Sequence, residues 1–256
     1  MARHGPPWEW RPAHATDSTT PSLITSGDTT DIAVEGPYNE LILYWAFDGN
    51  GTWHSETVAG PGTTYSAPSM ILNGNTIAIS AMGPYNELLF YWATVGNGST
   101  GSWTTETVSG VYTDYSPPSM ILNGSTIDIS FMGPGNTLWF DWAAIGSGTW
   151  NSEYVTSQAA AYSAPSMLRN GSGVDISVQG PDDSLDIYWG PDGSSTWTPG
   201  TVAGDGTTYS QPALVVSGNG VDITAAGPNG SLYDYWAENG TNDWSFAGVA
   251  LPGSVA

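Results

Sequence analysis

Apolar residues in this chain fall into short runs separated by turn-forming residues. In one representative stretch the runs are Ser69 to Leu72, Thr76 to Met82, Glu87 to Ala93 and Trp103 to Val108. Asn73-Gly74 and Gly83-Pro84-Tyr85-Asn86 separate the first three, and both are strong tight-turn signals between strands. A Gly-rich loop precedes the fourth. Strands of this length at this spacing predict a meander of four antiparallel strands. No stretch carries the apolar period of a helix.

The same pattern recurs along the whole chain. A Gly-Pro pair stands at Gly36, Gly83, Gly133, Gly180 and Gly227, at spacings of 47, 50, 47 and 47 residues. A proline before the first strand of each unit repeats in step at Pro21, Pro68, Pro118, Pro165 and Pro212. Two tryptophans do the same: Trp45, Trp92, Trp142, Trp189 and Trp236, then Trp53, Trp103, Trp150, Trp197 and Trp244. A four-stranded sheet of this size cannot bury both faces alone, so units must stack face to face, and radial stacking closes such an array. The expected fold is an all-β, five-bladed β-propeller of ~47-residue tandem repeats, four antiparallel strands per blade. A buried tryptophan removes ~150–250 Å² from water, about 4–6 kcal/mol before entropy is subtracted, so the repeating indoles are ample to cement blade junctions.

The blades are expected at about 18–60, 65–110, 115–157, 162–204 and 209–250, within one domain over 18–256. Residues 1–17 form an irregular N-terminal segment. Because the last unit already has its fourth strand, Trp8-Glu9-Trp10 is surplus; it can add a strand, plug a face of the ring or drive homo-oligomerisation.

Charge narrows the partners. The formal net charge is −21, with 24 acidic residues against Arg3, Arg11 and Arg169 and no lysine. Phosphate binding needs clustered cations, so nucleic acid and anionic membrane surfaces are excluded as partners. No apolar run reaches the ~18 residues of a membrane helix, so no membrane insertion is expected. Cysteine is absent, which removes disulfides and thiolate metal sites.

The repeat core, NTIAISAMGPYNELLFYWA followed by W-x-x-E-x-V, resembles the tandem repeats of β-propeller lectins, both the five-bladed tachylectin type and the bacterial PLL type. It is also similar to repeat segments of secreted actinobacterial proteins. The resemblance covers about residues 18 to 250. It implies glycans as partners, one pocket per blade or blade junction, no catalysis, no cofactor, no metal and an extracellular home. PLL-type sites commonly include basic or indole donors, and basic ones are scarce here, so the sugar's identity does not carry over.

Two ends of the blades offer candidate ligand-binding residues. The loop between strands two and three shares an end with the linker into the next blade. There Asn39, Asn86, Asn136 and Asp183 stand near Tyr65, Tyr115, Tyr162 and Tyr209. An aromatic ring beside amide or carboxylate acceptors suits a pyranose, with its apolar face and hydroxyl rim. The same residues also suit turn formation and junction covering. At the other end Trp45, Trp92, Trp142, Trp189 and Trp236 are either core or sugar platforms. An acidic position in strand two, Asp31, Asp128, Asp175 and Asp222, is Ala78 in the second unit and is expected to be a structural acceptor. Glu56, Glu106 and Glu153 become Gly200 and Ala247 in later units, which predicts solvent-facing positions.

Enzyme readings find little support in the residues. A glycosidase needs a carboxylate pair unique to its centre, and the acidic residues recur in register or scatter in turns. Only His4, His14 and His54 could serve a hydrolytic triad, and no His or Cys cluster suits zinc. The expectation is therefore a secreted, multivalent lectin without catalysis. A structural or protein-interaction propeller is the alternative, and a five-bladed glycosidase the third reading.

Overall fold

The computed structural model describes residues 20–96, 99–191 and 196–255. They form five antiparallel sheets, four of them with four strands in chain order and the second with a fifth short strand, Ser99–Thr100, beside its third. Blade 1 comprises Ser22–Ser26, Thr29–Glu35, Leu41–Phe47 and Trp53–Ala59; blade 2 comprises Ser69–Asn73, Thr76–Met82, Leu88–Gly96 and Thr104–Ser109. Blade 3 comprises Ser119–Asn123, Thr126–Gly133, Thr137–Ala144 and Asn151–Thr156. Blade 4 comprises Ser166–Asn170, Gly173–Gln179, Leu185–Pro191 and Thr198–Ala203; blade 5 comprises Ala213–Ser217, Gly220–Gly227, Ser231–Glu238 and Ser245–Ala250. The N-terminal segment with Trp8-Glu9-Trp10 lies outside the described residues.

Local chemistry sets the strand ends. In the first hairpin of blade 2, Asn73 pairs with Thr76, so the two-residue loop is Gly74-Asn75. Gly74 takes φ 58°, the left-handed conformation demanded of the first loop residue. The Asn-Gly signal therefore marks the turn with its glycine, one residue later than an Asn-Gly loop would place it. At the second turn Asn86 adopts φ 57°, and the Glu87 carboxylate accepts the Tyr85 backbone N–H at 2.7 Å, which keeps Glu87 out of the third strand. The extra residues of blade 2 extend its third strand to Gly96, which pairs with Ser99. Three short 3-10 turns, Pro134–Asn136, Pro181–Asp183 and Pro228–Gly230, break the all-strand expectation without altering it. Among the described residues no helix is long and apolar enough to cross a membrane.

The core lies between sheets. Leu41 and Leu43 of blade 1 pack on Met70, Ile77, Ile79 and Tyr91 of blade 2. Leu88 and Phe90 meet Ile127, Ile129 and Phe131; Leu138 and Phe140 meet Val174, Ile176 and Val178; Leu185 and Ile187 meet Val221, Ile223 and Tyr235. Hydrogen bonds join the first strands of neighbours. The backbone N–H groups of Met70, Met120 and Met167 donate at 3.0 Å to the hydroxyls of Ser22, Ser69 and Ser119, and Leu214 N–H donates to Ser166 at 3.3 Å.

This chain of junctions runs from blade 1 to blade 5 and stops. The ring closure expected from five complete units is not seen among the described residues: the first strands of blades 1 and 5 do not pack as the four successive pairs do. The walls that closure would bury are uncovered, with Leu23 61% and Trp53 49% exposed on blade 1 and Val249 59% exposed on blade 5.

Candidate functional site

At the hairpin end of the blades, a cleft opens at three successive junctions. Between blades 3 and 4 it measures about 380 Å³ and is lined by Asn123, Asp128, Trp142 and Glu153 on one side and by Arg169 and Trp197 on the other. Between blades 2 and 3 the equivalent cleft, about 310 Å³, has Trp92, Glu106 and Trp150. Between blades 4 and 5 it is about 490 Å³, with Asp175, Trp189, Asn239 and Trp244.

The sequence builds each cleft from two blades. The third strand carries the first repeating tryptophan near its end, and the next blade supplies the second. A buried phenylalanine sits between them: Phe140 stacks on Trp142 with centroids 5.6 Å apart and meets Trp197 edge-on at 5.1 Å. Phe90 holds Trp92 and Trp150 in the same way, at 5.6 and 5.3 Å. One wall of these two clefts is thus an indole fixed by ring packing rather than a mobile side chain, whereas Trp189 of the blade 4–5 cleft packs on the apolar cluster that holds Ile187.

The glutamates correct a sequence expectation. Glu56, Glu106 and Glu153 do not simply face solvent; each accepts the indole N–H of the next blade's second tryptophan. Trp103 donates to Glu56 at 2.7 Å, Trp150 to Glu106 at 3.0 Å and Trp197 to Glu153 at 2.9 Å. The bond latches two blades and points a carboxylate across the cleft mouth. At the fourth junction the position is Gly200, where an added Cβ would lie 2.7 Å from the Trp189 ring and 2.9 Å from Asn242 Oδ1. Trp244 turns to Asn242 instead, at 3.1 Å. Asn170 and Asn239 exchange amide hydrogen bonds at 2.8 and 3.0 Å across that junction.

The recurrent aspartates sit at the same end as acceptors of side-chain donors. Thr29 donates to Asp31 at 3.0 Å, Asn123 and Thr126 both donate to Asp128 at 2.8 Å, and Asn170 donates to Asp175 at 2.8 Å. Burial raises the pKa of Asp31 and Asp175 above the ordinary carboxylate value, with these hydrogen bonds opposing it.

The candidate residues therefore separate into two groups. Trp92, Trp142 and Trp189 line the clefts. Trp45 stacks on His54 at 5.5 Å, and Trp236 is 41% exposed on the uncovered side of blade 5. The tyrosines and turn residues lie together at the opposite end of the strands. Tyr65, Tyr115, Tyr162 and Tyr209 are half-exposed, and each backbone N–H donates at 2.8 Å to the end of a second strand. The backbone carbonyls of Asn39, Asn86, Asn136 and Asp183 each receive two N–H groups of the linker to the next blade. Positive φ at all four shows why Asn and Asp occupy these turns.

One feature escaped the sequence reading: a carboxylate pair unique to one junction. Asp114 and Asp141 are both fully buried between blades 2 and 3, where Ser109 and Ser152 hydroxyls donate to Asp141. Ser116 N–H donates to Asp114 Oδ1 at 3.1 Å, and Asp114 Oδ2 has no hydrogen-bond partner among the described residues. Desolvation, reinforced by the neighbouring Asp141 charge, drives Asp114 well above the usual carboxylate range. Aligning the units in register exposes the signal: Asp141 stands where the others have Tyr44, Tyr91, Tyr188 and Tyr235. No group of three or more His, Cys, Asp or Glu suited to a metal ion occurs among the described residues.

The chain superposes on the BP39L lectin of Burkholderia pseudomallei with a TM-score of 0.76 at 15% identity, covering 93% of this chain and 70% of that one. The fold is that of a β-propeller. The six-bladed fucose-recognising lectin of Aleuria aurantia gives a TM-score of 0.62 at 15% identity, with 91% and 80% covered. A Trypanosoma rangeli sialidase mutant gives 0.55 at 13% identity, with 86% and 46% covered. Protein-family models and curated proteins give no match.

Proposed function

We infer that this protein is a multivalent glycan-binding lectin whose sites are the clefts between successive blades at the hairpin end. The carrying observation is the pairing, at the blade 2–3 and blade 3–4 clefts, of a ring-packed indole with a carboxylate latched by the next blade's indole N–H. The indole offers an apolar face to a sugar ring, while Glu, Asp and Asn oxygens accept its hydroxyls. Equivalent clefts on one face give avidity from individually weak sites. The propeller lectins it superposes on, one described as recognising fucose, support this reading. A net charge of −21 with carboxylates at the clefts disfavours sialylated, sulfated or uronic glycans, so the ligands are neutral. The lectin acts outside the cell and without chemistry. The glycosidase alternative is disfavoured because Asp114 and Asp141 are each 0% exposed, out of reach of any substrate.

A glycan array with labelled protein tests the class, followed by titration calorimetry on the hits. Neutral glycans should bind, and a Trp92→Ala, Trp142→Ala, Trp189→Ala set should abolish binding while a matching alanine set at Tyr65, Tyr115, Tyr162 and Tyr209 leaves it intact. The reverse outcome moves the sites to the tyrosine end. A blank array from folded protein replaces the lectin with an interaction scaffold.

A further inference from the structure

The two uncovered walls differ from the four mated ones in chemistry as well as exposure. On blade 5 the position corresponding to Leu43, Phe90, Phe140 and Ile187, which elsewhere plugs the next blade, is Asp234. Asp234 shares its sheet face with Asp222, through pairing with Thr224 and of Asp222 with Trp236. Partial burial and the Asp222 charge both raise its pKa, so two carboxylates repel on one apolar wall. On blade 1, Thr30 replaces the Ile77, Ile127 and Val174 of inner junctions, while Leu23 and Trp53 remain exposed. Another apolar blade would bury those carboxylates unpaired, a costly arrangement. The walls call for an occupant that brings aromatic rings and cationic side chains without adding net negative charge.

We propose that residues 1–19 of the same chain dock between the uncovered walls of blades 5 and 1, their arginines facing Asp222 and Asp234 and their tryptophans the apolar remainder. Two of the three arginines of the chain, Arg3 and Arg11, fall in these residues, with Trp8 and Trp10, which belong to no repeat; Glu9 and Asp17 balance the arginines, so the segment is formally neutral in a chain of charge −21. The segment joins the described chain just before the first strand of blade 1, at the edge of one wall. Fully extended it reaches roughly 60 Å, ample to cross both walls. A second copy is the poorer occupant, because each copy brings a charge of −21 to an already acidic face.

Hydrogen exchange by mass spectrometry on the full chain tests this, beside light scattering for molecular mass. Trp8→Ala/Trp10→Ala and Arg3→Glu/Arg11→Glu should each speed exchange at least tenfold in blades 5 and 1 and leave blade 3 unchanged. Asp222→Asn/Asp234→Asn should weaken the effect of the arginine change, and 0.5 M salt should speed wild-type exchange in blades 5 and 1 only. Unchanged exchange in all variants would mean the walls face solvent and would overturn the proposal. Protection that rises with protein concentration alongside a doubled mass would overturn it in favour of a second copy.

Discussion

Asp114 offers a direct test of how this fold treats its acidity. The carboxyl is fully buried at the junction of blades 2 and 3, and desolvation raises its pKa well above the ordinary carboxylate value. The unfolded chain ionises it near ~3.9, while the native state keeps the proton. Above that pH the unfolded state therefore binds fewer protons than the native state, and stability falls as pH rises towards the native pKa. One retained proton corresponds to about 1.4 kcal/mol per pH unit, and at this chain length about 2–4 °C per kcal/mol, so a melting temperature dropping roughly 3–6 °C per unit. Asn keeps the shape and cannot ionise. Thermal melts from pH 4.5 to 8 at constant ionic strength should give Asp114→Asn a curve close to wild type at the acid end and above it at neutral pH. Asp31, Asp175 and Asp186 are also raised by burial and tilt both curves alike, cancelling in the difference, whereas Asp141, raised by burial beside Asp114, contributes to the difference as part of the same pair. Parallel curves over the whole range would refute the argument.

Other consequences follow from single contacts. Ser119→Ala strips the partner from the Met167 N–H, now at 3.0 Å, and should cost about 1–3 kcal/mol in urea unfolding with an unchanged m-value. Trp197→Phe keeps the ring against Phe140 but loses the 2.9 Å bond to Glu153; about 1 kcal/mol of stability should go, and glycan affinity at the blade 3–4 cleft should fall in calorimetry. Gly200→Ala forces a methyl group to 2.7 Å from the Trp189 ring, so it should lower the melting temperature and reduce binding at the blade 4–5 cleft, whereas Gly204→Ala, which meets nothing within 4 Å, should do neither.

Strand number, order and end chemistry were legible in the sequence because they depend on residues close together: the two-residue hairpin at Gly74 and the Asn86 turn are local. The indole platforms were legible as candidates, since Trp92, Trp142 and Trp189 recur in step. Their role at a cleft was not, because half of each cleft comes from the next blade. Glu153 and Trp197 are 44 residues apart, and no local pattern joins them. The Asp114 and Asp141 pair was hidden for the same reason. Two departures from the repeat, each harmless alone, become a buried acidic pair only when blades 2 and 3 are stacked.

Departures from a repeat therefore carry junction information that the repeat itself does not. Ser22, Ser69, Ser119 and Ser166 each bond a following blade, and the fifth unit, which has no following blade among the described residues, has Ala213. The glutamates obey the same logic: Glu56, Glu106 and Glu153 serve three junctions, Gly200 makes room for Asn242 at the fourth, and Ala247 stands where no blade follows. Against the average unit, loss at a repeated position suggests solvent exposure. Comparing each residue with its partner one repeat onward predicts instead that substitutions at Ala213 and Ala247 change stability little. Restoring Ser at Ala213, or placing Gln at Ala247, where a glutamate would be repelled by the paired Asp234, should shift the urea midpoint negligibly, whereas removing Ser69 or Glu106 should shift it in proportion to the lost junction bond. A clear gain from Ala213→Ser would mean that a blade does pack on that wall, and the open junction would have to be redrawn.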